Sequence, residues 1–167
     1  EQKQEIVSLT SEINSCITNA GQKKWNEKKG KIADFEALIA YRTMEAGKKV
    51  NIKIQSTKAQ DAYNRGKEYY YSQRGYLKMS CATCHVQGAA QRVRNESLSQ
   101  LLGQTTHFPV YRLKWQGLGT LERRMQGCIK DQGQNPPKTN SKEMKELLYF
   151  MTYMSNDMAV DGPDIRK

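Results

Sequence analysis

Two cysteines and a histidine in the middle of the chain have the spacing needed to attach a haem. The segment is Cys81-Ala82-Thr83-Cys84-His85. A Cys-X-X-Cys-His run is the attachment pattern of c-type haem, in which both sulfurs form thioethers with the porphyrin and the imidazole ligates the iron. Residues three apart lie about one helical turn from each other, so both thiols can face the same porphyrin edge. The sequence therefore predicts one covalent haem c, attached through Cys81 and Cys84, with His85 as an axial ligand of the iron.

Two other chemistries use paired cysteines, and neither fits the surroundings of this pair. A zinc site needs a second pair of ligands, and a thioredoxin-like redox pair needs a strand that leads into a helix. Neither pattern is evident around Cys81 and Cys84. Haem attachment is therefore the interpretation that we retain.

The residues alone leave the sixth ligand of the iron open. Methionine is the general expectation for a cytochrome, but most methionines here also fit the apolar stripe of a helix, where they would fill the core. His107, the only other histidine, precedes Pro109 in an extended segment, and a lone histidine of this kind more often forms hydrogen bonds than binds a metal. The competing methionines are Met125, Met144, Met151, Met154 and Met158.

Composition limits the number of domains and the kind of partner. The 167 residues suffice for one domain, or for one domain and part of a second. Hydrophobic residues make up only 37% of the chain, and an enclosed apolar haem would partly offset that low share. The formal net charge of +10 suits a small anion or an acidic protein as partner. Because no nucleic-acid-binding motif is present, we expect no nucleic acid partner.

The sequence also bears on location. Its longest apolar runs are far shorter than the roughly 20 residues of a membrane-spanning helix, so we predict no membrane span. It begins Glu1-Gln2-Lys3 without a methionine or an apolar leader, which we interpret as a mature form whose targeting segment has been removed. Covalent haem attachment needs an oxidising export compartment. The predicted location is the periplasm.

Helices are expected to position the haem motif. The spacing of apolar residues predicts two helices within residues 4–47, the second capped by Asp34 and directing Phe35, Leu38, Ile39 and Tyr41 to the core. Residues 48–60 alternate between apolar and polar, which predicts an extended linker or short strand. Further helices are predicted from Asp61 to about residue 75, over residues 118–129, and after Ser141 as N-cap. Residues 88–106 are predicted to be loop with a short helix, and residues 107–113 to be extended.

An internal repeat relates the two ends of the chain. Aligning Cys16 with Cys128, an offset of 112 residues, brings further pairs into register without a gap. We interpret the first copy as a remnant of a cytochrome domain whose haem-binding half is absent from this chain. Cys16 would then be a buried structural thiol, or alternatively form an intermolecular disulfide. The other pairs are Leu9 with Leu121, Ile13 with Met125, Ile17 with Ile129, Gly21-Gln22 with Gly133-Gln134, Phe35 with Leu147, Leu38 with Phe150, and Tyr41 with Tyr153.

Three sequence blocks in a fixed order resemble a known family. Between Asp61 and about Tyr153 the chain closely resembles SoxA, the catalytic c-type cytochrome subunit of the bacterial SoxAX thiosulfate-oxidising complex. Members of that family carry two cytochrome c-like domains, and this chain resembles the members that keep haem only in the second. The blocks are GKEYYYSQRGYLKMSCATCH at residues 66–85, FPVYRLKWQGLG at 108–119 and LERRMQGC at 121–128.

The resemblance implies a fold and a domain division. The expected fold is mainly α, with a cytochrome c-like haem domain preceded by a partial, haem-less cytochrome c-like repeat. Residues 1–50 would form the haem-less remnant, residues 51–60 a linker, and residues 61–167 the catalytic domain that binds haem c.

The resemblance also implies the site residues. The iron would be held by His85 and by Cys128, and Cys128 would also be the reactive sulfur. Arg124, four residues earlier, would belong to the active site. A cation one helical turn away is expected to lower the pKa of the thiol and to hold a sulfur oxyanion. Arg112 is expected to reach a haem propionate.

The implied activity is that of an L-cysteine S-thiosulfotransferase. Working with SoxX, such a subunit joins thiosulfate oxidatively to a cysteine of the SoxYZ carrier and passes electrons to a further c-type cytochrome. The resemblance leaves open whether a small third subunit joins. Two alternatives remain at this point: a simple periplasmic electron-transfer cytochrome c, and a thiosulfate dehydrogenase that forms tetrathionate.

Overall fold

The computed structural model describes residues 5–93 and 96–166, and its architecture is mainly helical with short strands. A π-helical turn, Thr83–Gln87, contains the Cys-His end of the haem motif, and a 3-10 turn covers Leu113–Trp115. The helices are α1 (Leu9–Asn19), α2 (Lys31–Glu45), α3 (Thr57–Tyr71), α4 (Leu121–Asp131) and α5 (Lys142–Met154). The strands are β1 (Arg92–Val93), β2 (Glu96–Ser97), β3 (Val110–Arg112), β4 (Gly117–Gly119) and β5 (Asp164–Arg166). No helix among these described residues is long and apolar enough to cross a membrane.

Side-chain caps decide where several helices begin. The Ser141 hydroxyl accepts a hydrogen bond from the Met144 amide, as predicted for the start of α5. α3 starts four residues before the predicted Asp61, because Ser56 caps it in the same way. The predicted cap Asp34 is wrong. α2 already begins after Gly30, and Asp34 lies within its first turn, where its charge is still favourable.

The main core lies where α3 crosses α5. Gly66 makes the crossing possible, because a Cβ atom there would lie 2.1 Å from the Glu146 carbonyl oxygen and 2.9 Å from the Phe150 Cβ. The Tyr63 and Tyr70 rings each lie 5.4 Å from the Phe150 ring, a distance that favours aromatic pairing. The buried cluster consists of Tyr70, Ala82, Leu101, Met125, Ile129, Met144, Leu147, Phe150 and Met151.

The N-terminal helices bury a different face from the one that the sequence predicts. Phe35, Leu38 and Tyr41 are each more than 40% exposed. α2 instead buries the smaller side chains on its other side, where Ile32 and Ala33 pack with Ile13 of α1. The prediction is therefore wrong for Phe35, Leu38 and Tyr41, because no described helix covers them as α3 covers α5. Ile39, which is partly buried, does pack against this cluster.

A hairpin and two strands of a three-stranded sheet lie between the haem motif and α4 in the chain, and the third strand, β5, follows α5. β3 pairs antiparallel with β4 and parallel with β5, so β4 leads directly into α4. The extended segment predicted at residues 107–113 is confirmed by β3. The short helix predicted within residues 88–106 is not seen in the part that the structure describes, which forms turns and the β1–β2 hairpin.

The linker runs extended across the second half of the molecule. Val50 exchanges backbone hydrogen bonds with Met158 and Asp157, and Ile52 exchanges them with the Asn156 side chain. Residues 48–56 are therefore extended as predicted, and the last residues of the predicted linker belong to α3.

α1 and α4 end with the same hydrogen bonds at an offset of 112 residues. Each helix has eleven residues and is capped by a hydroxyl, from Ser8 in α1 and from Thr120 in α4. Each is stopped by a glycine with positive φ, +74° at Gly21 and +76° at Gly133, a conformation that glycine adopts easily. The equivalent terminal bonds run from Ala20 N to Cys16 O and Gln132 N to Cys128 O, and from Gln22 N to Ile17 O and Gln134 N to Ile129 O.

Two buried carboxylates face each other where the N-terminal helices meet α4. Glu36 of α2 is 8% exposed and Glu122 of α4 is 2% exposed. The Thr10 hydroxyl donates a hydrogen bond to Glu36, and the Asn140 amide donates one to Glu122 at 2.7 Å. Burial raises the pKa of Glu36 to about 7, with repulsion from Glu122 adding to the rise and the Thr10 hydrogen bond opposing it.

We expect the stability of the fold to fall between about pH 4.5 and pH 7 because of Glu36. A carboxyl whose pKa rises from 4.5 to about 7 on folding takes up a proton in the folded state. Its contribution is complete below pH 4.5 and is lost as the pH rises through 7. At about 1.4 kcal/mol for each pKa unit, this loss is about 3 kcal/mol. Denaturant unfolding of wild type and Glu36→Gln across pH 4 to 8 measures it. The variant should show the flatter profile, and parallel profiles would contradict the assignment.

Candidate haem and sulfur site

Reciprocal hydrogen bonds hold the start of the haem motif in a tight turn. The Ser80 amide donates to the Thr83 hydroxyl and the Thr83 amide donates to the Ser80 hydroxyl, each at 3.1 Å. The chain then enters the π-helical turn that carries Cys84 and His85. Such turns are wider than an α-helix and are frequent at functional sites. Cys81 and Cys84 are half-buried free thiols, accessible for attachment.

Hydrogen bonding of His85 leaves one ring nitrogen for a metal. Its Nδ1 lies 2.6 Å from the Ser99 carbonyl oxygen. A carbonyl can only accept, so Nδ1 carries the proton and Nε2 of the neutral ring keeps its lone pair. Burial lowers the pKa of His85, and the charge of Arg124 lowers it further, against the opposing Ser99 hydrogen bond. The imidazole is therefore neutral at physiological pH, as a metal ligand must be.

Cys128 lies on α4, one helical turn after Arg124. Burial raises the pKa of its thiol above the ordinary value, while Arg124 and Arg112 act to lower it. As expected, the charge of Arg124 acts to lower the pKa of Cys128. The pKa is nevertheless raised overall, because the loss of solvation on burial outweighs the effect of the two arginines. A coordinated metal deprotonates a thiol outright. The charge of Arg124 alone therefore does not favour the thiolate form of Cys128.

The thiols of Cys81, Cys84 and Cys128 lie close enough to influence one another's ionisation, and His85 directly follows Cys84. Burial raises the pKa of Cys81 to about 12, and the neighbouring thiols of Cys128 and Cys84 contribute to the rise. Charges on these three cysteines therefore act on one another across a shared space. Two thiols for thioether bonds, a neutral imidazole and a further sulfur are the groups that a covalent haem with two axial ligands requires. The residues present fit such a group.

Two arginines border the site and share one carboxylate. Arg112 Nη2 lies 2.6 Å from Glu96 Oε1, and Arg124 Nη2 lies 3.9 Å from Glu96 Oε2. The Trp115 ring packs beside them, with the guanidinium carbons of Arg112 and Arg123 at 5.2 Å and 4.1 Å from its centroid. These distances are typical of cation–π contacts. The arrangement keeps positive charge next to Cys128.

The competing ligand candidates have other surroundings. Met125, Met144 and Met151 are buried in the main core, as the apolar pattern predicts. The Met154 sulfur accepts a hydrogen bond from the Tyr63 hydroxyl at 3.7 Å. The Met158 side chain packs against Gly103. These five methionines therefore pack against other parts of the protein, as core-filling side chains do.

His107 and Cys16 lie away from the haem motif and Cys128. The His107 ring stacks on Phe108 with centroids 4.9 Å apart and bonds the Gly103 backbone, consistent with a hydrogen-bonding role. Cys16 is exposed, so the prediction of a buried structural thiol is wrong. The reason is that α1 turns Thr10, Ile13 and Asn14 inward and leaves Cys16 outside the buried face.

Sequence reasoning missed two residues of the site. Ser99 orients His85 through its backbone oxygen, which no side-chain pattern reveals. Glu96 bridges Arg112 and Arg124 from sixteen and twenty-eight residues away in the chain. An isolated acid in a basic segment is the only signal that could have drawn attention to it.

Comparisons with known proteins identify the family of this chain. The family model described as SoxA/TsdA, cytochrome c domain, matches residues 65–160. The L-cysteine S-thiosulfotransferase subunit SoxA of Chlorobaculum thiosulfatiphilum is 43% identical over the whole chain, and that of Allochromatium vinosum is 37% identical over 98% of it. The chain spans 58% of the length of each relative.

A solved structure has the same fold. The crystal structure of SoxXA from P. pantotrophus superposes with a TM-score of 0.90 at 33% identity, covering 100% of this chain and 62% of the matched chain. With the family model matching more than half of the residues, the likeness covers both the sequence blocks and the backbone. The chain therefore belongs to the SoxA/TsdA cytochrome c family, as a SoxA-type member whose domain implies haem c.

Proposed function

We propose that this chain acts as the catalytic cytochrome of a SoxAX complex, an L-cysteine S-thiosulfotransferase. The observation that carries the proposal is the position of Cys128. Its thiol lies beside the haem-attachment cysteines and one helical turn from Arg124, on the helix that β4 leads into. A plain electron carrier needs no reactive sulfur or oxyanion-binding cation at this place. The relatives are L-cysteine S-thiosulfotransferase subunits, which supports the same activity.

The proposed haem site uses four residues. Cys81 and Cys84 would attach one haem c covalently, and His85 and Cys128 would hold its iron. The sequence contains a single Cys-X-X-Cys-His motif, which supports a single haem. Bound there, the haem supplies a one-electron acceptor that can pass electrons to a further c-type cytochrome.

The proposed reaction forms a sulfur–sulfur bond. The cysteine thiol of the SoxYZ carrier and thiosulfate become a cysteine S-thiosulfonate, releasing one proton and two electrons. Arg124 binds the sulfonate oxygens of thiosulfate, since a guanidinium matches an oxyanion with two parallel hydrogen bonds. The sulfur of Cys128 is the group that reacts with the bound anion. Two equivalents of a further c-type cytochrome, each a one-electron acceptor, receive the two electrons.

The proposed domain division has residues 1–50 as a haem-less cytochrome c-like remnant, residues 51–60 as a linker and residues 61–167 as the haem domain. Matching caps and terminal hydrogen bonds of α1 and α4 support a duplication. In the second copy, Leu147 and Phe150 are covered by α3, whereas their counterparts Phe35 and Leu38 are exposed. This difference in exposure is expected if the first copy has no helix equivalent to α3 to cover its second helix.

The proposed partners are SoxX, the SoxYZ carrier, thiosulfate and, in some assemblies, a small third subunit. The likeness to the SoxXA complex of P. pantotrophus supports SoxX, and the relatives' enzyme name supports a cysteine acceptor and thiosulfate. The proposed location is the periplasm, where c-type haem is attached in bacteria. We propose no nucleic acid partner.

We expect Arg124→Gln to reduce carrier-dependent thiosulfate oxidation by about a hundredfold or more, the usual effect of removing a cation that stabilises transition-state charge. The measurement is turnover by the haem-loaded complex with SoxYZ and a cytochrome acceptor, with haem content determined in parallel. Lys130→Gln is the matched control, because Lys130 is an exposed cation on the same helix.

Each outcome of this test bears on the function. Loss of turnover in Arg124→Gln alone, with haem retained, supports the proposed role. Equal activity of both variants would reject it. A far-red methionine-to-iron absorption band in the oxidised wild type, together with retained activity, would identify an electron-transfer cytochrome. Tetrathionate formation without SoxYZ would identify a thiosulfate dehydrogenase.

A further inference from the structure

The carboxylate of Glu96 occupies the position of a bound anion between two arginines. One oxygen lies 2.6 Å from Arg112 Nη2 and the other 3.9 Å from Arg124 Nη2. A carboxylate that places one oxygen on each of two guanidiniums mimics an oxyanion that does the same. Because Arg124 precedes Cys128 by one helical turn, an anion in this position would lie next to the sulfur of Cys128.

The side chain of Arg112 is restrained by burial and by an aromatic ring. Its side chain is only 10% exposed. The guanidinium rests over the Trp115 ring, which is itself pressed against β4, since a Cβ on Gly119 would lie 2.4 Å from that ring. Arg123 contacts the same ring at 4.1 Å. Little conformational freedom therefore remains for Arg112 to lose when it binds an anion.

Glu96 is held more loosely than its partners. It belongs to the two-residue strand β2, and its side chain is 39% exposed. Its contact with Arg124, at 3.9 Å between side chains that are 31% and 39% exposed, is at the outer limit of an ion pair and contributes little stability. The carboxylate can therefore move into water when a stronger anion arrives.

We propose that Arg112 and Arg124 form a two-armed site for the oxyanion of the sulfur substrate, and that Glu96 is an internal anion that this substrate displaces. The identity of the ligand as a sulfur oxyanion rests on the proposed function. A sulfonate group has three oxygens in tetrahedral arrangement, enough to contact both guanidiniums at once. The site adds Arg112 to the substrate-binding residues and makes Glu96 a competitor for them.

The test is the affinity of the haem-loaded protein for thiosulfate and for sulfate, an unreactive dianion, measured by equilibrium dialysis of the labelled anions at constant ionic strength. Glu96→Gln keeps the size and removes the charge, so it should tighten binding of both anions about fivefold. Arg112→Gln should weaken binding about tenfold, with Arg112→Lys in between. Glu68→Gln is the control, because Glu68 is an exposed carboxylate on α3.

Unchanged or weaker binding in Glu96→Gln would overturn the proposal. So would full affinity in a folded, haem-loaded Arg112→Gln, since Arg112 would then serve another anion, such as a haem propionate. Turnover is measured separately on the same variants. The affinities could change as expected while neither the wild type nor any variant shows turnover with SoxYZ. That result would support the anion site and reject the proposed reaction.

Discussion

Replacing Cys128 with alanine should reduce carrier-dependent thiosulfate oxidation by at least about a thousandfold, the effect of removing a nucleophile or other group that takes part in covalent chemistry. Haem attachment should survive, because it depends on Cys81 and Cys84, which precede Cys128 by more than forty residues and are held in their own turn. The measurements are turnover, haem stain after denaturing electrophoresis, and the electron spin resonance spectrum of the oxidised protein.

The electron spin resonance spectrum distinguishes the two roles proposed for Cys128, which are binding the iron and reacting with thiosulfate. In wild type we expect a low-spin signal of the thiolate type, which the alanine variant loses. Cys16→Ala is the matched control, because Cys16 occupies the equivalent position of α1 and is exposed. Normal turnover in Cys128→Ala would contradict the mechanism, and an unchanged spectrum would remove Cys128 from the iron.

Local patterns were sufficient to predict the elements that carry the candidate site. The Cys-X-X-Cys-His segment and the helix predicted within residues 118–129 depend on residues close together in sequence, whereas the roles given to Arg124 and Cys128 come from the family resemblance. The cap at Ser141 is local in the same sense. Short-range spacing and turn chemistry determine these features, so a single sequence reveals them.

Burial and long-range contacts could not be predicted in this way. The pKa of Cys128 is raised because the folded chain excludes water from it, an effect that the spacing of Arg124 does not contain. The exposed face of α2 depends on which helices are available to cover it. The ion pair of Glu96 with Arg112 depends on how the β1–β2 hairpin lies against β3. Each requires the tertiary arrangement.

The largest effect on stability is expected at Gly66, which positions the entire haem domain. In Gly66→Ala the added Cβ would lie 2.1 Å from the Glu146 carbonyl oxygen, a backbone atom that no side-chain rotation can move. α3 and α5 would have to separate, loosening the aromatic packing of Tyr70 on Phe150. Overpacking of this kind costs about 3 kcal/mol, which corresponds to a fall of roughly 10 °C in Tm for a chain of this length.

Calorimetry or thermal circular dichroism of the haem-loaded protein measures this change. Gly127→Ala is the matched control, because Gly127 is also within a helix and a Cβ there meets nothing within 4 Å. Alanine is the better helix former by about 1 kcal/mol, so the control should keep or raise the Tm. The two substitutions are chemically identical, so a fall in Tm for Gly66→Ala that Gly127→Ala does not show reports the close approach of α3 and α5 at Gly66. Equal effects would mean that the close approach at Gly66 does not hold the domain together.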